Sequence, residues 1–254
     1  MYFSKFARIA LACSLTFLLN LNVQAAPYAL TVYSDEISAP GETEIEARFS
    51  QAKPRSSWVS TGLVTQALTE ISYGIAPGWA VGIEIPAVYS NSAKKLAGIA
   101  LEVQYVAPHD KSKGWYWGLR SEVGRIMSLY EDDTALSLEL NPVIGFRGND
   151  YQFVLNPSFD KPLSGKETST QFHPSAKLSR RITATDDLGF EYYGYWGPVS
   201  KLLAPEKRDE ALYFVWDKRT FFGRLNMGVG QGVRPFYGSV DKWVIKVGIQ
   251  FEMD

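Results

Sequence analysis

The two histidines are the side chains of this sequence best suited to acid–base catalysis. His173 and Ser175 lie two positions apart in "FHPSAKLS", and His109 falls in "APHDKSK". A hydrolase needs its histidine held beside a nucleophile and a third, orienting group, because an unassisted hydroxyl is a weak nucleophile at neutral pH. This spacing is ordinary for one face of a strand, and neither histidine has the spacing of a metal site. We therefore predict no enzyme activity, no metal and no cofactor, with a lipid hydrolase as the catalytic alternative.

A second pattern is a series of glutamates, each near the middle of a stretch in which apolar and polar residues alternate. Neighbouring carboxylates in a low-dielectric interior repel one another unless bases face them. One interpretation is a salt-bridge network that fills a narrow interior, and the other is a charged channel with an acidic wall facing a more basic one. The residues predicted to line this interior are Glu70, Glu84, Glu102, Arg120, Glu122, Glu139, Lys177, Glu191, Arg224 and Lys246.

The elements that must position these charges are β-strands. In the C-terminal stretch "KWVIKVGIQFEMD", apolar residues from Trp243 to Phe251 occupy one face, and the opposite face is mostly polar. This period-two alternation is typical of strands with two unlike faces. It recurs along the chain and predicts twelve strands, with ten or fourteen as alternatives. Their predicted bounds are 42–51, 63–75, 78–90, 95–107, 114–126, 134–147, 150–159, 169–180, 186–196, 209–218, 221–232 and 240–252.

The length of these strands favours a membrane barrel over a soluble sandwich, whose strands usually span five or six residues. Trp79 and Tyr89 share one face, and at about 3.3 Å per residue they lie about 33 Å apart. A strand tilt of about 40–45° reduces this to a height of about 25 Å, the apolar band between two aromatic girdles. A lipocalin-like barrel with its apolar face inward is the alternative. The predicted girdle residues are Trp79, Tyr89, Tyr105, Trp243 and Phe251.

The fold class that follows is all-β, a transmembrane antiparallel up-and-down barrel over residues 42–254. Tight connections such as "APG" and "GND" alternate with long polar ones such as "SFDKPLSGKETST". Outer-membrane barrels have this layout, with the short turns in the periplasm. An even number of strands then places both termini on the periplasmic side.

The N-terminus has the three parts of a secretory signal peptide. Lys5 and Arg8 precede the apolar run "IALACSLTFLLNLNV", and "VQA" provides a cleavage site after Ala25. We predict a cleaved leader over residues 1–25 and a periplasmic N-terminal segment over residues 26–41. A single membrane anchor is disfavoured, because the apolar run is short and interrupted by polar residues. The one cysteine, Cys13, lies in the leader.

The last strand resembles the assembly signal of bacterial outer-membrane proteins, an amphipathic strand that ends in an aromatic residue. Here Glu252, Met253 and Asp254 follow Phe251. The stretches "SAPGETEIEARF" and "SYGIAPGWAVGIEIP" also resemble the outer-membrane proteins grouped as "MetA-pathway of phenol degradation" transporters. This resemblance covers most of the mature chain and implies a porin-like role.

The predicted function is therefore a porin-like barrel of the bacterial outer membrane that passes small solutes through a narrow charged lumen. The alternative is an occluded structural or adhesive barrel that acts through its long extracellular loops. Predicted partners are outer-membrane lipid, the barrel-assembly machinery through the C-terminal strand, and small solutes. Nucleic acid is not expected, because the formal net charge is -1 and no basic face is apparent. The sequence leaves the solute and the oligomeric state open.

Overall fold

The computed structural model describes residues 30–54, 63–89, 94–126, 136–165, 168–234 and 241–253. The predicted leader lies outside these residues. Nearly all of the described chain is β-strand, with one short 3-10 turn at Pro205–Lys207. The strands are β1 (Thr43–Pro54), β2 (Val64–Ala76), β3 (Trp79–Tyr89), β4 (Lys94–Leu96), β5 (Gly98–Val106), β6 (Gly114–Ile126), β7 (Leu136–Arg147), β8 (Tyr151–Pro162), β9 (Gln171–Arg181), β10 (Asp186–Tyr195), β11 (Gly197–Pro198), β12 (Asp209–Thr220), β13 (Gly223–Arg234) and β14 (Asp241–Met253).

These strands form one closed antiparallel barrel, as predicted. Each long strand pairs with its neighbours in the chain, β14 pairs with β1, and β9 pairs with β10. The two shortest strands, β4 and β11, only extend the pairing of β3 and β9, so that twelve strands form the wall of the described barrel. The predicted strand over 95–107 is divided into β4 and β5 at Ala97.

The alternation in sequence becomes an apolar outer face and a largely polar lumen. Ile83, Leu101, Val123 and Leu138 are direct neighbours across β3, β5, β6 and β7 on the outer face. Leu101 is 59% exposed, which is unfavourable in water but matches the environment of lipid chains. The lipocalin-like alternative, with the apolar face inward, is therefore wrong for these strands.

The connections differ in length at the two ends of the barrel. At the end that we name the turn end, β2–β3, β7–β8 and β12–β13 are joined by tight turns. The β2–β3 turn depends on Gly78, whose φ is +76° and whose missing Cβ would lie 2.4 Å from the carbonyl oxygen of Val106. The longer connections, such as residues 196–208 between β10 and β12, lie at the opposite end, the loop end.

An aromatic cluster marks the outer face at the turn end. The rings of Trp79 and Tyr105 are 4.6 Å apart, and those of Tyr105 and Trp117 are 5.6 Å apart. Tyr89 and Trp243, also predicted for a girdle, are half-buried near the loop end. Aromatic rings near the ends of the outer face of a barrel are typical of the membrane–water interfaces.

Phe251 differs from its predicted role as an exposed girdle residue. It is only 4% exposed, because it packs with Ile45 and with Phe222 of the β12–β13 turn, whose ring lies 5.8 Å away. Alternation assigned Phe251 to the outer face but did not show that a turn residue would cover it. In the same turn, Phe221 is the exposed aromatic residue.

The segment before β1 lies inside the barrel. We name residues 30–42 the N-terminal segment. The segment runs from Leu30, beside Lys246 near the middle of β14, to the turn end, where Pro40 forms a parallel bridge with Gly74. The sequence predicted a periplasmic segment over 26–41, whereas the described part of that stretch occupies the lumen. In the described part of the chain, no helix is long and apolar enough to cross a bilayer.

Candidate functional site in the barrel lumen

A row of carboxylates crosses the lumen wall from β1 to β8. Glu46, Glu70 and Glu84 are direct cross-strand neighbours on β1, β2 and β3. A second run of direct neighbours continues over β5 to β8. Its members are Glu102, Glu122, Glu139 and Asp160. Directly opposed side chains on one face have their Cβ atoms about 4.5–5.5 Å apart, so this row concentrates like charge at one place in the barrel.

The register of β3 with β5 brings the two runs together. Glu84 lies opposite Ala100, and Glu102 lies opposite Gly82, so the two glutamates are offset by one inward-facing position. A Cβ at residue 82 would lie 2.5 Å from a carboxylate oxygen of Glu102. The absence of a side chain there gives Glu102 the space to reach the centre of the lumen.

Arg120 stands at this junction and binds carboxylates from three strands. Its Nε donates to Glu102 over 2.6 Å, its Nη1 donates to Glu122 over 2.9 Å, and its Nη2 donates to Glu84 over 2.6 Å. The guanidinium is 1% exposed. The rigid five-donor guanidinium of arginine suits such a cluster. These contacts offset part of the repulsion between the carboxylates.

Arg48 has the same role on the β1–β2 side. Its Nε and Nη2 donate to both carboxylate oxygens of Glu46, each over 2.7 Å, and Nη2 also donates to Glu70 over 2.6 Å. Glu84 lies 3.6 Å from Nη1. Glu84 therefore sits between the two arginines and joins them into one network.

Glu139 and Asp160 complete the row without such compensation. They are direct cross-strand neighbours on β7 and β8. In the part of the chain that the structure describes, neither forms an ion pair with lysine, arginine or histidine. The carboxyl groups of the described lumen that lack a base are therefore concentrated on this side.

The opposite wall carries a balanced network. Lys177 lies 3.1 Å from Glu191 and 2.7 Å from Asp217. Lys246 forms an ion pair with Glu191 and also donates to the hydroxyl of Tyr193 over 3.1 Å. The sequence predicted a more basic wall here, but each lysine of the described wall is paired, so the local charge is close to neutral.

Arg224 lies at the turn end of the lumen. It forms ion pairs with Glu36 of the N-terminal segment and, at 3.9 Å, with Glu252. Its guanidinium is partly exposed at the mouth, where it contacts a residue that sequence periodicity did not assign to the lumen.

Residues 30–34 of the N-terminal segment, which we name its upper part, cross the centre of the barrel. The backbone NH of Tyr33 donates to Oδ1 of Asn156 over 2.8 Å, and Nδ2 of Asn156 donates back to the carbonyl of Tyr33 over 3.0 Å. The ring of Tyr33 covers the guanidinium of Arg120 with 4.3 Å between their centres, a cation–π contact. Tyr33 also packs against Val143 and Val154, which face the lumen.

Apolar side chains also line the lumen towards the loop end. Val64, Tyr213, Val215 and Val244 form a buried cluster there, and Leu30 packs against it. The sequence pattern predicted a mostly polar face and did not predict an apolar cluster on it. Burial of Leu30 against the cluster adds a hydrophobic contribution to the docking of the segment.

Residues 35–42 of the segment, which we name its lower part, are held by polar contacts at the turn end. Asp35 is 2% exposed and accepts from Nη2 of Arg147 over 2.7 Å. Ser38 and Ser72 share a hydrogen bond of 3.1 Å. Next to them, a Cβ at residue 74 would lie 2.1 Å from the carbonyl oxygen of Ala39, so only glycine allows this approach.

Two polar cavities remain beside the segment. The inner one, of about 180 Å³, is bounded by the segment and by residues of both charged walls, including Arg48, Lys177 and Lys246. The second, of about 200 Å³, opens at the turn end. Both are lined by Glu36, Glu44, Arg224 and Gln250. The Glu36–Arg224 ion pair therefore lies where the two cavities approach each other.

The histidine and serine considered for catalysis do not form a dyad. Ser175 donates to Oδ1 of Asn156 over 3.4 Å, and the ring of His173 stacks on Tyr195 at 5.1 Å. Among the described residues no hydrogen bond joins His173 to Ser175. The arrangement gives neither residue the partner that nucleophilic catalysis requires.

The residues that sequence reasoning missed belong mainly to the N-terminal segment and its anchors. Tyr33, Asp35, Arg147 and Asn156 were not assigned to the lumen. The acidic character of Asp35 and Glu36 is the one sequence feature that could have pointed to them, because the segment that contains them has no strand periodicity. Their partners are distant in sequence, with Asn156 123 positions beyond Tyr33.

The closed twelve-stranded barrel is similar to the fold of several solved outer-membrane proteins. The NanC porin has a TM-score of 0.57 to this chain at 11% identity, over 82% of this chain and 100% of that one. The COG4313 outer membrane channel from Pseudomonas putida F1 gives 0.63 at 10% identity, over 88% and 100%. The KdgM porin, solved in complex with disordered oligogalacturonate, gives 0.54 at 13% identity, over 83% and 99%.

These likenesses show a shared fold. No protein-family model and no curated protein matches the sequence.

Proposed function

We propose that the protein is a channel of the bacterial outer membrane that passes small polar solutes through a narrow charged lumen. The observation that carries this proposal is the combination of a closed barrel, an exposed apolar exterior and polar cavities on the inside.

The charge distribution supports a preference for cations. Two arginines face a longer row of carboxylates on one wall, and the lysines of the other wall are already paired. Uncompensated carboxylates raise the local concentration of cations, and charged residues of this kind set the selectivity of pores. Small cations, or polar solutes that carry a positive charge, are the solutes that this lumen favours.

The N-terminal segment narrows the passage, so transport requires the segment to move. Tyr33 covers Arg120 at the centre, and Glu36 pairs with Arg224 between the two cavities. The contacts of the segment are mostly hydrogen bonds and ion pairs in a polar lumen. Water can replace such contacts, so the segment can leave its place without unfolding the barrel.

The proposal is tested by ion conductance in planar bilayers. We expect the purified protein to give small or infrequent currents and a variant lacking residues 26–40 to give currents several-fold larger. A double variant, Tyr33→Ala with Asp35→Ala, keeps the length of the segment and should behave in the same direction. If all three proteins fold, judged by circular dichroism and heat-dependent gel mobility, and none conducts, the channel proposal is wrong.

The occluded barrel is the second candidate, because one group of contacts favours it. Leu30 packs on the apolar cluster at the loop end while Tyr33 fills the centre, so the described lumen has no wide passage. A structural or adhesive barrel would act through its long loops and would remain silent in all the conductance measurements above.

Further parts of this proposal rest on the sequence. They are secretion with a leader cleaved after Ala25, assembly through the amphipathic strand β14, and membership of the "MetA-pathway of phenol degradation" group. The quoted resemblances support them. The outer-face aromatic cluster of Trp79, Tyr105 and Trp117 supports a membrane location.

A further inference from the structure

His109 is held so that both of its ring nitrogens face hydrogen-bond acceptors. The residue lies in the connection between β5 and β6. Its Nδ1 is 2.8 Å from the carbonyl oxygen of Ala107, and its Nε2 is 2.9 Å from Oδ2 of Asp35 in the N-terminal segment. A carbonyl oxygen can only accept. Nδ1 must therefore carry a proton.

Nε2 must also carry a proton to make an attractive contact, because it faces a carboxylate oxygen. The other oxygen of Asp35, Oδ1, already accepts from Nη2 of Arg147 over 2.7 Å. Both ring nitrogens then donate, which only the imidazolium form of His109 can do. The contact between the barrel and the segment is therefore complete only when His109 is positively charged.

The surroundings of His109 increase the effect of its charge on the contact with Asp35. Its side chain is nearly buried, and Asp35 is almost fully buried, so solvent screens the pair weakly. The ring of Tyr116 lies 5.3 Å from that of His109, and Gln152 donates to the Tyr116 hydroxyl over 2.8 Å. The titratable and charged groups around the imidazole are Asp35 on the segment, Tyr116 on β6, Arg147 on β7, and Asp110, Lys111 and Lys113 on its own connection.

The charges of those neighbours stay fixed over the range in which an imidazole titrates. Arginine and lysine side chains remain protonated in that range, and aspartate side chains remain ionised. A side-chain hydrogen bond from Ser112 lowers the pKa of Asp110, so that exposed carboxylate is also ionised. The histidine is the group that changes.

We propose that His109 and Asp35 form a proton-dependent latch that holds the N-terminal segment in the lumen. When His109 loses its proton, the lone pair of Nε2 faces a carboxylate oxygen, and an attractive contact becomes repulsive. Arg147 still binds Asp35, so the segment is loosened and is not expelled. This inference rests on the proposed channel function only for its consequence, which is that the passage opens more often as pH rises.

The direction of the pH dependence follows from which form of His109 favours docking of the segment. The imidazolium exists at low pH and favours the docked segment, so docking is strongest near pH 5 and weakens towards pH 8, the interval in which histidine changes charge. Loss of one charge-assisted hydrogen bond corresponds to a change of about tenfold or more in the docked-to-free ratio. We expect a change of that size between pH 5.5 and pH 8.

The latch is tested with a nitroxide spin label on Ile37→Cys, at the mouth of the barrel near the latch. In the processed protein this is the only cysteine if the leader that contains Cys13 has been removed. The purified barrel is reconstituted in lipid vesicles, and the mobile fraction of the label is measured by electron paramagnetic resonance from pH 5.5 to 8. We expect this fraction to rise about tenfold with pH, and to be independent of pH in the His109→Gln background, where an amide replaces the imidazole.

The second histidine provides a matched control. His173 lies on β9 with its ring 5.1 Å from that of Tyr195, and among the described residues no hydrogen bond or ion pair joins it to the N-terminal segment. His173→Gln should leave the pH response of the label unchanged. A response that persists in His109→Gln, or one that His173→Gln abolishes, would overturn the latch.

Conductance measured on the same proteins separates this inference from the channel proposal. If the label becomes mobile with pH but no current appears, the latch stands and the channel function fails. If current appears while the label keeps one mobility at every pH, the channel stands and the latch is wrong.

Discussion

Arg120 is the side chain on which the central carboxylates depend most directly. It bonds to Glu84, Glu102 and Glu122, each from a different strand. Arg120→Met would leave these carboxylates crowded in the lumen without their base. Removing one partner of a buried pair typically costs about 3–5 kcal/mol, and we expect a loss in that range in the free energy of unfolding. Urea unfolding followed by tryptophan fluorescence in vesicles measures it.

A matched control for that experiment is Arg181→Met on β9. The side chain of Arg181 is 44% exposed, and its Nε lies 3.7 Å from Asp187. Exposed pairs contribute about 0–1 kcal/mol, so this variant should unfold almost as the parent does. Equal losses for the two variants would mean that Arg120 is not central to stability.

A double variant at Glu139 and Asp160 tests the selectivity of the lumen separately from the stability of the barrel. The described structure pairs neither with a base, and they lie directly opposite each other. Glu139→Gln with Asp160→Asn keeps size and hydrogen bonding but removes two neighbouring carboxyl groups. We expect the cation-to-anion permeability ratio, obtained from reversal potentials across a salt gradient, to fall by about twofold or more, the effect expected when a wall loses charge. The unfolding free energy should not decrease.

A permeability ratio that stays constant in a conducting double variant would place these carboxylates away from the solute path. The corresponding change at Glu84 and Glu102 is a less clean test, because Arg120 would lose two of its partners. A drop in selectivity there would be mixed with a change in the shape of the lumen.

At the scale of elements, the docking of the N-terminal segment depends on one strand glycine. A methyl group at residue 74 would lie 2.1 Å from the carbonyl oxygen of Ala39, a distance that real Cβ contacts do not adopt. We expect Gly74→Ala to displace the lower part of the segment while β2 keeps its pairing. The measurable result is a several-fold rise in the frequency of open events, with the circular dichroism of the barrel unchanged.

Gly248 on β14 serves as the matched control, because it is also a strand glycine that faces the lumen. The nearest atom to a Cβ there is Oε1 of Glu46 at 3.5 Å, an ordinary contact. Gly248→Ala should conduct as the parent does. If both substitutions raise the current equally, the effect comes from the lumen in general and not from the segment.

The strands were predictable because their signal is local. The predicted range 78–90 became Trp79–Tyr89, and 186–196 became Asp186–Tyr195, since alternation over a few residues fixes both the strand and its faces. The N-terminal segment has no such alternation, and its conformation is set by partners that only the closed barrel brings near. The Tyr33–Asn156 contact, 123 positions apart, is an example.

The charged lumen was predictable as a set of residues but not as a network. Alternation placed Glu84 and Glu102 on the inner face, yet their offset depends on the register of β3 with β5, which periodicity does not give. Likewise, the pairing of Lys246 with Glu191 depends on how the barrel closes. Phe251 shows the same limit on the outer face, where a turn residue decides its exposure.

For the whole molecule, the position of each end in the membrane is a direct prediction. Lys201 lies in the long connection between β10 and β12, and Ser112 lies in the β5–β6 connection near the turn end, both exposed. If the loop end faces the outside, a membrane-impermeant maleimide should label Lys201→Cys on intact cells, but Ser112→Cys only after the outer membrane is permeabilised. The reverse pattern would invert the proposed orientation.

If the barrel conducts as proposed, the Glu36–Arg224 ion pair and the Tyr33–Arg120 contact place a length of chain, and not only a fixed wall, across the passage. A rigid constriction admits solutes according to their diameter, at the rate of their diffusion. A docked segment admits them according to how long it stays in place, and lid openings of this kind take roughly microseconds to seconds. Currents through such a barrel should therefore arrive as brief bursts. Their spacing in time should be nearly the same for solutes of different diameter, and the flux should saturate when the waiting time of the segment, rather than the supply of solute, sets the pace.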